Sequence, residues 1–167
     1  MKYAFKLPMT AVMLVLALAT GLAGLDKSKI RAEIQKAAGH FLDPKAGASD
    51  CRTAFMLLIG AIEQAAPESG FPAAFGAQIS EARRIFESTS ILNPNGIKLL
   101  NEAYTAINDG QPFLFPKELA GPDLILARFE KMSAGVQTSL EAGQTGAAVK
   151  SLLEILIMIV TPIEAQA

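Results

Sequence analysis

Beyond residue 25 the chain alternates between two kinds of segment: runs in which apolar residues recur three and four positions apart, and short breaks rich in proline, glycine, asparagine and aspartate. That spacing places apolar groups on one face of an α-helix, and six such segments are legible. The first, about 26–42, aligns Ile30, Ile34, Ala37, Ala38 and Phe41. It stops at Asp43-Pro44, because the residue before a proline is pushed out of helical geometry. The second, about 50–66, takes Ser49 or Asp50 as its cap and aligns Phe55, Leu58, Ile59 and Ile62 before Pro67-Glu-Ser-Gly70 breaks the chain. The third, about 72–89, repeats Phe75, Ile79, Ala82 and Phe86. Asn93-Pro94, a capping side chain followed by proline at the first helical position, opens the fourth. This helix turns Ile97, Leu100, Tyr104 and Ile107 inward and runs to about Asn108, with Gly110 just past its end. A fifth begins near Pro122, carries Ile125, Phe129, Met132, Val136 and Leu140, and stops at Gly143. The sixth starts near Thr145 and is ended by Pro162. Its stretch Leu152–Val160 holds a single acid and is too short to span a bilayer, while Lys150, Ser151, Glu154 and Thr161 leave it a narrow wet edge.

No strand-like alternation, hairpin turn or fixed-period repeat is visible, and short connections favour antiparallel neighbours. The expected fold is therefore all-α: a compact antiparallel bundle of five or six amphipathic helices, forming one domain over residues 24–167. Gly60, Gly76 and Gly135 sit inside helical patterns, where each costs about 1 kcal/mol relative to alanine. Close helix crossings at these positions would offset that cost.

The segment ahead of the domain reads differently. Lys2 and Lys6 precede a charge-free run from Leu7 to Leu25, which ends in the small-residue patterns Ala17-x-Ala19 and Gly21-x-Ala23. A short basic stretch, an apolar block and then small residues make up a secretory signal peptide. Cleavage is expected after Ala23 or Ala19, the former leaving a polar start, and the destination is the periplasm or the medium. The rival is an uncleaved anchor, since the run approaches the roughly 20 residues a membrane-spanning helix needs. That anchor would be the chain's only membrane contact.

Composition narrows the rest. Of 15 basic and 16 acidic residues, Lys2 and Lys6 fall in the leader, so the remaining chain is mildly acidic and carries no basic stripe. Nucleic acid is not expected as a partner, because phosphate binding needs such a stripe. Cys51 is the only cysteine, so an exported chain forms no internal disulfide and depends on its core. At the start of an apolar helix a lone cysteine behaves as a small hydrophobe. His40 is the sole histidine and falls in the last turn of the first helix, where the helix dipole favours an imidazolium. His40 and Cys51, even joined by Asp43 or Asp50, make a poor zinc set.

Gly143-Gln-Thr-Gly146 followed by Lys150-Ser151 lacks the contiguous Gly-Lys-Ser of a phosphate loop, and Lys150 reads instead as a surface pair with Glu154. Asn93-Pro-Asn95-Gly96 with Glu102 matches part of a calcium loop but puts Ile91 at its first position and Lys98 at its eighth. No Gly-x-Ser-x-Gly elbow is present. No metal or cofactor is predicted, and an enzyme reading would have to rest on His40, Lys150 and Glu154.

What remains is the irregular connection Gln111–Pro116. Its prolines hold the backbone extended and put Phe113 and Phe115 on one side with Leu114 opposite. The rings either close the open end of the bundle or anchor a partner, since large exposed apolar groups are unusual on a monomer. Phe129, Met132 and Met158 are candidates to line a cavity for an apolar small molecule or lipid, though they serve an ordinary core equally well. The function expected is a non-catalytic exported binding or interaction module. Its alternative is a periplasmic carrier of an apolar ligand.

Overall fold

The computed structural model describes residues 24–116 and 122–161. The leader with Ala19 and Ala23, the side chain of Ile125, and Pro162 lie outside the described residues. Those residues form six α-helices and no strand: α1 (Lys27–Phe41), α2 (Ala48–Ala65), α3 (Ala73–Ser88), α4 (Pro94–Ile107), α5 (Pro122–Glu141) and α6 (Thr145–Val160), with a 3₁₀ turn at Ala66–Glu68. None of these helices is long and apolar enough to cross a membrane.

Local chemistry sets the boundaries. Asp26 caps α1 by accepting the Lys29 N–H at 3.1 Å. Asn93 caps α4 by accepting the N–H groups of Asn95 and Gly96 at 3.0 and 3.4 Å, with Pro94 as first helical residue. The start of α2 differs from the sequence expectation: the cap is Gly47, and the helix begins at Ala48 rather than Asp50. Asp50 works from the third position instead, where its carboxylate accepts the Gly47 N–H at 3.0 Å. This reverse arm of a capping box needs no side chain on the cap itself. Gly110 and Gly143, just beyond α4 and α5, have φ of +76° and +75°, a left-handed turn that glycine takes without strain.

Cross-contacts fix the directions. The ends of α1 and α2 meet through His40 and Asp50, while Gln64 late in α2 returns to Glu33 early in α1. Arg52 early in α2 reaches Phe86 and Thr89 at the end of α3. Arg31 meets Glu141 at 2.5 Å, and the rings of Phe41 and Phe129 lie 4.7 Å apart, so α5 runs against α1. Tyr104 meets Glu154 and Asn108 meets Lys150, so α6 runs against α4. The result is two layers of three, α1–α2–α3 over α5–α6–α4, in which each packed pair whose direction these contacts fix is antiparallel. Central α2 and α6 pack on one another and bury most of their surface, including Phe55, Leu58, Ile59 and Ile62 on α2 and Leu152, Leu153, Leu156 and Val160 on α6.

This arrangement explains the long connection. Helices α4 and α5 point the same way on opposite edges of one layer, so the end of α4 and the start of α5 lie at opposite ends of the bundle. At about 3.3 Å per extended residue the connection has ample reach.

The glycine expectation is corrected. A Cβ on Gly135 would meet nothing within 4 Å, and those on Gly60 and Gly76 would make only ordinary contacts at 3.9 Å. Close approach occurs at Gly96 and Gly146 instead. A Cβ on Gly96 would come within 2.4 Å of the buried Phe86 ring, and one on Gly146 within 2.6 Å of the Ser69 carbonyl oxygen. Gly146, in the first turn of α6, therefore lets that helix seat against the residue that follows the 3₁₀ turn.

Candidate functional site

The crossover and the helix edge beneath it form the most distinctive polar arrangement in the molecule. Asn108, at the end of α4, turns the chain: its backbone accepts the Gln111 N–H at 2.8 Å and its side-chain amide donates to the Gln111 carbonyl at 3.0 Å. Pro112 and Pro116 then bracket an extended strap. Phe113 lies edge-on to Tyr104 at 5.5 Å between ring centroids, and Phe115 lies edge-on to Phe113 at 6.2 Å. Both rings are half-buried against the core, and Leu114, on the opposite side, is 79% exposed.

Under the strap, the Tyr104 hydroxyl donates to Glu154 Oε1 at 2.9 Å, and Lys150 Nζ donates to Asn108 Oδ1 at 2.6 Å. The ammonium also stands 5.8 Å from the centre of the Tyr104 ring, within reach of a cation–π attraction. The expected Lys150–Glu154 surface pair is thus replaced, because each side chain finds a partner on α4. Burial, then the hydrogen bond to Glu154 and that carboxylate's charge, push the Tyr104 pKa up to about 12. At neutral pH the phenol keeps its proton and acts as a donor tying α4 to α6. The wet edge of α6 is therefore the fastening for the strap.

The other candidates are spread through the fold. Phe129 is buried against Phe41, Met132 is half-buried on the same helix, and Met158 is buried on α6. Three clefts among the described residues have other linings. One of about 410 Å³ is lined by Ala66, Pro67, Phe71, Pro72, Gly76 and Ala77, with Glu63 and Ser80 among its polar lining. Another, of about 300 Å³, sits where Gly24, Leu25 and Asp26 meet Gln64 and Glu68. A shallower depression of about 580 Å³ lies on the outer face of α4.

His40 Nδ1 sits 3.2 Å from Asp50 Oδ1, and the Asp50 carboxyl is held below its usual range by the Gly47 N–H and then by His40. Cys51 is a half-buried free thiol next in sequence. Among the described residues no three His, Cys, Asp or Glu side chains converge as metal ligands would. His40 lies at the α1–α2 end, whereas Lys150 and Glu154 face α4, so the fold does not bring these three together.

Tyr104 and Asn108 were not legible as a unit from sequence. The available signal was the polar strip of Lys150 and Glu154 on an otherwise apolar helix, which requires polar partners on whatever packs against it. Comparison with known protein families, with curated proteins and with solved structures finds no match for this chain.

Proposed function

We propose that this chain is an exported, non-catalytic helical domain that works by binding a partner protein, and that the strap Pro112–Pro116 is its contact element. Export rests on the basic, apolar and small-residue order of residues 1–23. The observation that carries the binding role is the strap's geometry. Phe113 turns inward onto Tyr104 and Phe115 packs edge-on against Phe113, while Leu114 is held outward at 79% exposure between two prolines. A single exposed leucine is common on protein surfaces. One fixed on a pre-ordered extended backbone costs little further entropy on binding, which favours its use as an anchor.

The test is a photo-crosslinking side chain placed at position 114 and, as a control, at exposed Glu81, in protein made in its own exported compartment. A discrete adduct from position 114 alone, lost when a synthetic 111–116 peptide is added in excess, is the expected result. Equal labelling from both positions contradicts the reading. The carrier alternative draws on the cleft of about 410 Å³ between the 3₁₀ turn and α3, a volume in the range of small-molecule sites. A stoichiometric lipid in an organic extract of the same material would favour it.

A further inference from the structure

We infer that the cleft at the start of α1 receives the domain's own new amino terminus, with Glu68 as its counter-ion, after the leader is cut between Ala23 and Gly24. The inference rests on the export reading above and decides between its two cleavage positions. Leu25 is half-buried against the core, and its backbone N–H donates to Glu68 Oε1 at 2.5 Å across 43 positions of sequence. Gly24, one residue earlier, lines the same cleft as Glu68. The Glu68 carboxylate has further lone pairs beyond the one Leu25 uses.

Cleavage after Ala23 adds water across one peptide bond: the C–N bond breaks, the leader keeps the carboxylate, and the Gly24 nitrogen becomes an ammonium. The peptidase of the export machinery supplies the catalysis. That ammonium arises within the cleft that Glu68 lines. Cleavage after Ala19 would leave Thr20–Ala23 ahead of Gly24 and carry the charge up to about 14 Å away along an extended chain.

The surroundings require a counter-ion here. The N-terminus of α1 is the positive end of its dipole and disfavours a nearby cation. The exposed Lys27 and Lys29 add to that field, and Asp26 is already engaged by Ser28 and the Lys29 N–H. Gln64, the other polar lining group, is committed to Glu33 and the Gly60 carbonyl. Glu68 is left to take the ammonium.

The test uses protein purified from the exported fraction of its host, as wild type and as Glu68→Gln. The terminal mass is read first. The Gly24 amine is then titrated by NMR, and the denaturation midpoint is measured before and after acetylating that amine. The expected chain begins at Gly24. Its amine titrates roughly half a pH unit above the ordinary α-amino value of about 7.7–8.0, the scale of an exposed pair. Glu68→Gln lowers it to the ordinary value or below, since the helix dipole and the lysines then act alone, and acetylation lowers the midpoint of wild type but not of the variant.

A chain that begins at Thr20 overturns the assigned cleavage position while leaving export intact, and a retained leader overturns the mature terminus altogether. A chain that begins at Gly24, with the same ordinary amine in both proteins, overturns the docking alone.

Discussion

Tyr104 offers the sharpest test of the strap's fastening, because the chain from Gly24 onward has no other tyrosine and no tryptophan. The tyrosinate absorbance of that chain therefore reports a single hydroxyl. Its pKa is raised from 10.0 to about 12, first by burial and then by Glu154. Folding thus holds a proton that the unfolded chain releases. The stability tied to that proton is complete below pH 10 and is lost as pH climbs through 12. At about 1.4 kcal/mol per pH step, and allowing for water at the strap's edge, the loss is on the order of 2 kcal/mol.

The assay follows tyrosinate absorbance and helical circular dichroism together, with the chain in strong denaturant as reference. The reference should titrate near 10. The native chain should titrate near 12 or lose its helix signal as the phenolate appears. Glu154→Gln keeps an acceptor but removes the charge, and because burial is the larger cause the midpoint should fall only part of the way. A native midpoint near 10 with the helix signal intact would mean that Tyr104 is open to water, and the fastening as described would be wrong.

Other expectations are as direct. Ser133 on α5 is buried with its hydroxyl unpartnered, so Ser133→Ala should raise unfolding stability by about 1 kcal/mol in a denaturant titration, and a loss would contradict the burial. Arg52 donates to the carbonyls of Thr89, Phe86 and Glu87 at 2.6, 2.8 and 3.2 Å. Arg52→Leu should cost about 2 kcal/mol by the same method, with a lysine restoring only part. Gly96→Ala should destabilise by about 1–3 kcal/mol, because its Cβ meets the Phe86 ring that is already edge-on to Phe55. Gly135→Ala should be neutral or stabilising by up to about 1 kcal/mol, and equal effects at the two glycines would overturn the packing assigned to them.

The helices were legible because their apolar spacing and their punctuation agree. Phe75, Ile79, Ala82 and Phe86 mark the buried face of α3, and Asn93-Pro94 opens α4 where the sequence places it. Gly47 as a cap was hidden, since its bond is made by Asp50 reaching backwards. The spacing-critical glycines were hidden for a related reason. Whether a glycine faces a neighbour depends on helix azimuth and crossing point, which periodicity alone leaves open, so Gly135 looked like Gly96.

The strap's alternation was readable, Phe113 and Phe115 to one side and Leu114 to the other. That α4 and α5 run the same way was not, because the relative direction of two helices is a property of the topology. The Tyr104–Glu154 and Lys150–Asn108 bonds span 50 and 42 positions, and no local pattern predicts pairs that distant.

The central claim is that an exported domain binds a protein through the strap. Native mass spectrometry of material from the host's exported fraction, as wild type and as Leu114→Asp, tests it most directly. The account predicts the chain from Gly24 onward together with a heavier species that contains a second protein, the latter absent from the variant. A heavier species unchanged by Leu114→Asp, or a bare chain carrying a lipid-sized adduct in both, would contradict it.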